Sequence, residues 1–155
     1  MTKLEVLIRN VFLSDLNQIL EIEKASFEFD AFSGHTLKTY IENSSDLFFI
    51  AEVSGFLAGY VISTIQAQKG LVVSIAVVPE YRCRKIGKSL VDFTFDNLRS
   101  RGVQEVALHV RKTDTQSVSF WEKMGFHPIR TIPNFYSDNA EAIHMTKIIS
   151  GNSRV

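Results

Sequence analysis

One run of the chain reads Val77-Val78-Pro79-Glu80-Tyr81-Arg82-Cys83-Arg84-Lys85-Ile86-Gly87-Lys88-Ser89-Leu90. The apolar residues 71–78 predict a strand that ends at the proline, and 86–101 predict an amphipathic helix. A basic turn joins them just before the helix N-terminus, whose free backbone N–H groups and positive dipole end favour anions. We therefore expect this turn to hold phosphate groups, although it lacks the spacing of a P-loop. On these residues alone, a solvated surface turn is an equal alternative.

The composition is that of an ordinary globular protein. The 155 residues are 45% hydrophobic and 22% charged, which predicts a single domain over 1–149 with a disordered C-terminal tail over 150–155. The 17 basic and 17 acidic residues balance, whereas a nucleic-acid-binding protein usually carries a basic excess. The cations of the turn are therefore a local feature and favour a small anionic ligand over nucleic acid.

Several other classes of protein are disfavoured. The single cysteine, Cys83, excludes an internal disulfide and a cysteine-rich metal site, and the four histidines show no metal-ligand spacing. No apolar run approaches the ~20 residues that span a bilayer. Residues 1–9 alternate charged with apolar side chains, unlike a signal peptide. We expect a soluble cytoplasmic protein without a metal and without a membrane partner.

Hydrophobic periodicity predicts seven strands and four helices. The strands are expected at 4–10, 47–53, 57–66, 71–78, 103–110, 126–132 and 140–148. Helices are expected at 33–43, 86–101 and 114–123, and one more begins near a Ser14 cap with Asp15 in its first turn. The strand at 71–78 is almost continuously apolar, which is typical of a central strand buried on both faces. This order of elements predicts a mixed α+β domain around one sheet.

Four segments in this order resemble one family. They are Val77–Leu90, Leu108-His109-Val110-Arg111-Lys112, Trp121-Glu122-Lys123-Met124-Gly125-Phe126 and Phe135-Tyr136-Ser137-Asp138. From Leu7 to Ile149 the chain resembles the GCN5-related N-acetyltransferases (GNAT). Within them it is most similar to the catalytic subunits of N-terminal (Nα) acetyltransferases, of the ribosomal-protein alanine and archaeal type. The resemblance implies a three-layer α/β arrangement, with a mixed sheet of about seven strands splayed between the fourth and fifth strands and about four helices.

The resemblance also implies acetyl-coenzyme A as the acetyl donor. In the family, a Q/R-x-x-G-x-G/A loop binds the pyrophosphate through backbone amides, and its slots fall here on 82–87. Lys85 occupies the first glycine slot, and a positive φ there would cost about 1–2 kcal/mol. The pantetheine arm of the family lies beside main-chain groups of the preceding strand. The implied cofactor contacts are Ile75, Ala76, Val77, Arg82, Cys83, Arg84, Lys85, Ile86, Gly87, Lys88, Ser89, Asp114, Ser117, Phe120, Trp121 and Lys123.

The chemistry is direct attack of an amine on a thioester, which calls for a base and benefits from an acid. By the resemblance, His109 takes the base position, while the acid is Tyr81 or Tyr136. Trp121 occupies a position where the family often has a tyrosine that protonates the leaving thiolate. An indole N–H cannot serve as that general acid. From the residues alone, His109 is a satisfied sheet histidine that shares a face with Ala107. Tyr81 could equally be an aromatic packed at a strand end.

Two aromatic segments are implied to bind the acceptor. The substrate-binding residues are expected to be Phe27, Glu28, Phe29, Phe135 and Tyr136. Glu28 is either a second base, a contact for the amino group or a solvated acid. His127 and His144 are expected to be structural.

The nature of the base favours an α-amine as the acceptor. The α-amino pKa of about 7.7–8.0 lies about 2.5 units below that of lysine, roughly 3.4 kcal/mol of deprotonation free energy. We therefore predict transfer of acetyl to protein or peptide N-termini. The alternatives are acetylation of lysine or of small amines, and an acyl-CoA-binding protein without turnover. An auxiliary subunit or a ribosome contact is a further possible partner.

Overall fold

The structure, a computed structural model, describes residues 5–150. Within this range the chain forms seven β-strands and four α-helices in the order β-α-α-β-β-β-α-β-α-β-β. This is the predicted order, and the predicted fold class is confirmed. Residues 1–4 and 151–155, which include most of the predicted tail, lie outside the described residues.

The elements agree with their predicted positions to within a few residues. The strands are β1 (Val6–Asn10), β2 (Phe48–Val53), β3 (Phe56–Gln66), β4 (Lys69–Val77), β5 (Glu105–Arg111), β6 (His127–Ile132) and β7 (Ala142–Ile148). The helices are α1 (Leu16–Phe27), α2 (Gly34–Asn43), α3 (Ile86–Ser100) and α4 (Thr115–Lys123). Short 3-10 turns occupy Leu13–Asp15, Glu28–Asp30, Ser45–Leu47 and Pro79–Tyr81.

The strands form one mixed sheet in the order β1-β2-β3-β4-β5-β7-β6. β1 pairs antiparallel with β2, β2 with β3, and β7 with both β5 and β6. β4 and β5 run parallel, and their ladder is short: Gly70 pairs with Val106 and Leu71 with Ala107. A parallel pair needs a crossover connection, which α3 supplies here. The short ladder agrees with the predicted opening of the sheet between its fourth and fifth strands.

The described chain divides into two compact units. The first unit comprises 5–64 with 74–97, and the second comprises 65–73 with 98–150. The assignment of 1–149 to a single domain stays a prediction. Among residues 5–150, no helix has both the length and the apolar composition that a membrane span requires.

The core of the first unit is made by α1, α2, α3 and the first strands. Ile19 of α1 and Leu37 of α2 are fully buried. Phe49 of β2 meets Phe93 of α3 edge-on at 4.8 Å between ring centroids, a favourable aromatic geometry. Ser33 caps α2, since its hydroxyl accepts the N–H of Thr36 at 3.1 Å. Burial of this apolar stripe explains why helical spacing in the sequence was sufficient to locate the helices.

The start of the first helix differs from the prediction. Ser14 was expected to cap the helix, but it lies inside a 3-10 turn, and α1 begins two residues later, at Leu16. The carboxylate of Asp15 accepts the Phe12 N–H at 2.7 Å and forms a bidentate pair with Arg9 at 2.9 Å. The acid therefore caps the preceding turn, and the Ser14 prediction was wrong. The ion pair with Arg9 of β1 helps to hold the Asp15 carboxylate in this position, and the helical spacing of the sequence does not reveal that contact.

The predicted burial of both faces of β4 was also wrong for one face. Val72, Ser74 and Ala76 are buried, whereas the alternate residues Leu71, Val73, Ile75 and Val77 are half-exposed. The reason is that protein covers one face of this strand fully and the other only in part. A continuous apolar run shows that both faces of a strand are apolar, but it does not show whether each face is covered by other parts of the protein.

The second unit has its own core, around α4, β5 and β7. Val106, Leu108 and Met145 are buried, and the Trp121 ring meets Phe126 edge-on at 5.2 Å. Two glycines, Gly102 (φ +81°) and Gly125 (φ +94°), follow the last turns of α3 and α4 in the left-handed region. Glycine adopts this conformation without steric cost, so both helices end where the sequence predicted.

Candidate active site

The basic turn of the first unit lies between the 3-10 turn Pro79–Tyr81 and α3. Cys83 has φ +62° and Lys85 has φ +66°, both in the left-handed region. Lys85 in the glycine slot therefore carries the predicted strain of about 1–2 kcal/mol. The left-handed Cys83 was not predicted, since cysteine carries no signal for this conformation. Two strained residues so close together are typical of a functional turn.

The cations of the basic turn (82–85), and Lys88 in the first turn of α3, have different surroundings. Arg82 donates from Nε to the Val77 carbonyl at 3.0 Å, and Lys88 pairs with Asp92 at 2.7 Å along the helix. Arg84 and Lys85 are exposed at the helix N-terminus. The turn therefore has its own internal support, and it presents exposed positive charge beside the first backbone N–H groups of α3.

The end of β4, where the resemblance implies main-chain contacts to the cofactor, is held close to β3. A Cβ at Gly59 would lie 2.8 Å from the Ala76 carbonyl oxygen, so only glycine fits there. The Val78 N–H donates to the Ala58 carbonyl at 2.8 Å. Gly59 was not predicted to be part of the site, although a glycine inside a strand pattern is a signal of close backbone approach.

The aromatic and acidic segment of the first unit follows α1. Phe27 is the last residue of α1, Glu28 is exposed with φ +46°, and Phe29 is 84% exposed. Most of the Phe29 side chain is therefore in contact with solvent. The segment presents the two aromatic rings and the acid that the resemblance assigns to the acceptor.

A buried acid anchors this segment. Glu23 of α1 is 1% exposed, and it accepts hydrogen bonds from the Tyr60 hydroxyl at 2.5 Å, the Ser74 hydroxyl at 3.2 Å and the Phe32 N–H at 3.0 Å. Burial and the charge of Glu23 raise the pKa of Tyr60. We name these groups the Glu23 cluster. The sequence predicted no role for Glu23, although a charged residue on the apolar face of a helix is a signal for one.

The second unit brings His109 and His144 together. The two residues are register partners on β5 and β7, and His109 Nε2 lies 3.1 Å from His144 Nδ1. The Phe135 ring stacks on His109 at 4.8 Å between centroids. We name the two residues the histidine pair. His144, which the sequence analysis expected to be structural, is therefore in direct contact with the proposed base.

The electrostatics of the pair favour neutral imidazoles. Burial lowers the pKa of His109, and repulsion from His144, when that ring is protonated, and from the Arg130 cation lowers it further. Burial and Arg130 likewise lower the pKa of His144. Both pKa values therefore lie below 6.5, the ordinary histidine value, so both rings are neutral at pH 7 and able to accept a proton.

Arg111 holds the loop after β6. It extends from the end of β5, pairs with Asp138 at 3.0 Å and lies 4.5 Å above the Tyr136 ring. Its hydrogen bond to Asp138 lowers the pKa of that carboxyl. Phe135 meets Tyr136 edge-on at 5.0 Å. Arg111 belongs to one of the motifs that resemble the family, but this role was not predicted for it. The contact with Asp138 joins residues 27 positions apart and has no local signal in the sequence.

The predicted cofactor residues of α4 have structural contacts. The Asp114 carboxylate caps the helix, accepting the Ser117 N–H at 3.1 Å and its hydroxyl at 2.7 Å. Trp121 is 6% exposed in the core, whereas Phe120 and Lys123 line an open hollow of about 360 Å³. Among residues 5–150, no group of three or more His, Cys, Asp or Glu side chains could hold a metal ion.

The predicted site residues fall in both units. The first unit contains Phe27, Glu28, Phe29, Ile75, Ala76, Val77, Tyr81, Arg82, Cys83, Arg84, Lys85, Ile86, Gly87, Lys88 and Ser89. The second contains His109, Asp114, Ser117, Phe120, Trp121, Lys123, Phe135 and Tyr136. In the first unit these residues lie in three segments: the one that follows α1, the end of β4, and the basic turn with the start of α3. In the second unit, His109 contacts Phe135, and Phe135 contacts Tyr136, whereas the remaining residues lie on α4 and at its N-cap.

Comparison with known proteins places this architecture. The sequence profile of the acetyltransferase (GNAT) family matches residues 16–126. An N-alpha-acetyltransferase of Sulfurisphaera tokodaii is 28% identical over 154 residues, covering 91% of this chain and 92% of its own length. Ard1 from Thermoplasma volcanium has the same fold, with a TM-score of 0.89 at 22% identity over 94% of this chain and 99% of its own.

A further solved structure of the same fold carries a ligand. It is yncA from Salmonella typhimurium, solved with its cofactor acetyl-CoA, with a TM-score of 0.80 at 15% identity over 97% of this chain and 98% of its own. The family profile spans most of both units, including the basic turn and His109. The protein therefore belongs to the acetyltransferase (GNAT) family and is an acetyltransferase of the GNAT type.

Proposed function

We propose that this protein transfers an acetyl group from acetyl-CoA to the α-amino group of protein or peptide N-termini, with His109 as the general base. The observation that carries the proposal is the histidine pair, held neutral beside the aromatic loop of Phe135 and Tyr136. The similarity in sequence to an N-alpha-acetyltransferase over nine-tenths of the chain supports the same acceptor class. A cytoplasmic location and an auxiliary subunit or ribosome contact stay predictions.

The basic turn suits the phosphates of acetyl-CoA. Arg84 and Lys85 are exposed where α3 begins. This helix has 15 residues, and its dipole places a partial positive charge at its N-terminus, which favours an anion. Ile86 is 1% exposed and anchors the turn from below. A contact between the Lys85 ammonium group and a phosphate oxygen would offset part of the backbone strain at this residue. The acetyl donor supplies the thioester that the amine attacks.

His109 has the properties that this attack requires. As the amine nitrogen bonds to the thioester carbonyl carbon, it must lose a proton, and a neutral imidazole can take it. The carbon–sulfur bond then breaks, and the thiolate leaves. A lowered pKa keeps His109 unprotonated at neutral pH, so the base is ready before the substrate binds.

The pKa of the acceptor amine decides between the two substrate classes. An α-amine needs roughly 3.4 kcal/mol less than lysine to reach its neutral form, because its pKa is about 2.5 units lower. A base with a pKa below that of free histidine is weak, so it is matched to the more acidic amine. Tyr136, held under Arg111, and Tyr81, half-exposed at the basic turn, are the candidates for protonating the thiolate.

A peptide panel tests the proposal. Each peptide is offered with acetyl-CoA in two forms, one with a free α-amine and one with that amine already acetylated, and each contains one internal lysine. Release of the CoA thiol is followed by a thiol reagent, and the modified nitrogen is located by mass spectrometry. We expect turnover with the free α-amine only. Equal turnover of both forms would assign the activity to lysine, and acetyl-CoA binding without thiol release from any peptide would contradict the proposal.

A further inference from the structure

The contact inside the histidine pair restricts which atom of His109 can act. His109 Nε2 lies 3.1 Å from His144 Nδ1, a hydrogen-bonding distance. A neutral imidazole has one nitrogen that donates and one that accepts. One ring therefore donates to the other across this contact, and Nε2 of His109 is occupied in either case. The only ring nitrogen of His109 left for an acceptor amine is Nδ1.

The two possible arrangements have opposite consequences. If His144 donates from Nδ1, then His109 Nε2 accepts, and the His109 proton sits on Nδ1, where it blocks a base. If His109 donates from Nε2, then His144 Nδ1 accepts, and Nδ1 of His109 keeps a free lone pair. The partner of one nitrogen thus sets the chemistry of the other.

We propose that His144 is the positioning residue of the base: it accepts the His109 Nε2–H and so makes Nδ1 of His109 the atom that takes the proton from the amine. This inference rests on the proposed role of His109 as base. The register of β5 and β7 places the two rings side by side, and the stacked Phe135 ring limits rotation of the His109 ring.

The proton balance of the step is then complete. The amine proton moves to Nδ1 of His109 as the nitrogen–carbon bond forms, and the imidazolium continues to donate from Nε2 to a neutral His144. Arg130, the register partner of His144 on β6, faces the pair, and Lys69 and Glu105 also act on His144 electrostatically. The positive charge of Arg130 disfavours a second proton on the pair, so one proton is held and then released to solvent.

The first test reads the tautomers directly. The protein is labelled with 15N-histidine, and long-range 1H–15N correlation spectra are recorded at pH 7.5 and assigned with His109→Asn and His144→Asn variants. We expect the Nε2–H tautomer for His109, with an unprotonated Nδ1, and an unprotonated Nδ1 for His144. A proton on Nδ1 of His109 would overturn the inference. This result does not depend on any peptide being acetylated, so it separates the inference from the proposed function.

The second test compares two replacements of His144. Asn places a carbonyl oxygen close to the position of Nδ1 and can still accept the Nε2–H, whereas Leu cannot. We expect His144→Leu to lose about tenfold or more in kcat with little change in KM, and His144→Asn to retain most of the kcat. Thermal melts check that both variants fold. Equal losses would overturn the inference, since they would show that acceptance of a hydrogen bond is not the role of His144. If His109→Ala leaves kcat unchanged, the proposed function fails instead.

Discussion

The Glu23 cluster and the histidine pair each bring ionisable side chains together, but they differ in burial and in how completely the hydrogen-bonding groups of those side chains are satisfied. The two carboxylate oxygens of Glu23 accept three hydrogen bonds at 1% exposure. The histidine pair is half-exposed and shares a single hydrogen bond, so each ring keeps a second nitrogen for another partner. A fully satisfied buried group stabilises the fold, whereas a partly satisfied one retains capacity for proton transfer.

The two sites also differ in where a loss would be felt. Removing an acceptor from the Glu23 cluster leaves buried donors without partners, a cost paid in stability. Removing a ring from the histidine pair leaves groups that water can still reach, and the cost falls on chemistry. Substitutions at the two sites should therefore separate loss of turnover from loss of stability.

His109→Ala is expected to lower kcat by about 10²–10⁴-fold, because the amine then loses its general base. Acetyl-CoA affinity, measured by titration calorimetry, should stay near that of the wild type, since the basic turn is intact. His127→Ala on β6 is the matched control, because His127 is exposed and outside the pair. A wild-type kcat for His109→Ala would show that His109 is not the general base and that the histidine pair does not differ from the Glu23 cluster in the way described.

Glu23→Gln is expected to lower the free energy of unfolding by about 1–3 kcal/mol, since an amide NH2 replaces one carboxylate oxygen and cannot accept a hydrogen bond from the buried donor there. Tyr60→Phe removes one donor and leaves Ser74 to the same oxygen, so a smaller loss of about 0.5–1.5 kcal/mol is expected. Denaturant unfolding measures both. A Glu23→Gln protein with full stability but no turnover would move Glu23 from the structural side of the comparison to the catalytic side.

Arg130→Gln is expected to raise the pKa of both histidines, because it removes a positive charge that lowers them. The lowered pKa values mean that the unfolded chain binds more protons between each folded pKa and 6.5. The wild type therefore loses stability as pH falls below 6.5 through that window, and the variant loses less. An NMR titration of the ring protons gives the two midpoints, with Lys112→Gln as a control for the loss of one positive charge. Midpoints above 6.5 in the wild type would contradict the neutral pair.

Asp138→Asn should have the smallest effect. It removes the charge that pairs with Arg111, while the amide oxygen can still accept the Ala140 N–H. Because Asp138 is at the surface, we expect KM for the peptide to rise by less than about fivefold, with kcat retained. Steady-state kinetics with the neighbouring Ser137→Ala as control checks this. A large fall in kcat would show that the loop takes part in the proton transfer itself.

Local pattern was sufficient for much of this protein. The order of the strands and helices, and most of their bounds apart from the start of α1, follow from hydrophobic periodicity and from the turn residues Gly102 and Gly125, which act over a few residues. The alternation around His109 placed it on one face with Ala107. The family resemblance put Lys85 in a glycine slot, where a positive φ would be strained, and Lys85 does have a positive φ. These features need only the chain on either side of them.

Other predictions failed or were missing where the answer lies far along the chain. The Asp15 carboxylate pairs with Arg9 of β1 and accepts the Phe12 N–H instead of capping α1, and one face of β4 is covered only in part. The partners of Glu23 come from positions 32, 60 and 74. No spacing in the sequence contains these contacts.

The elements, the basic turn and the family could all be predicted from the chain, because propensities, apolar periodicity and short motifs are local properties. The contact of His144 with His109, 35 residues away, and the anchoring role of Glu23 became visible only in the fold. Hydrogen bonds and pKa values depend on distances between side chains. Those distances are set by the register of strands that are remote in the chain.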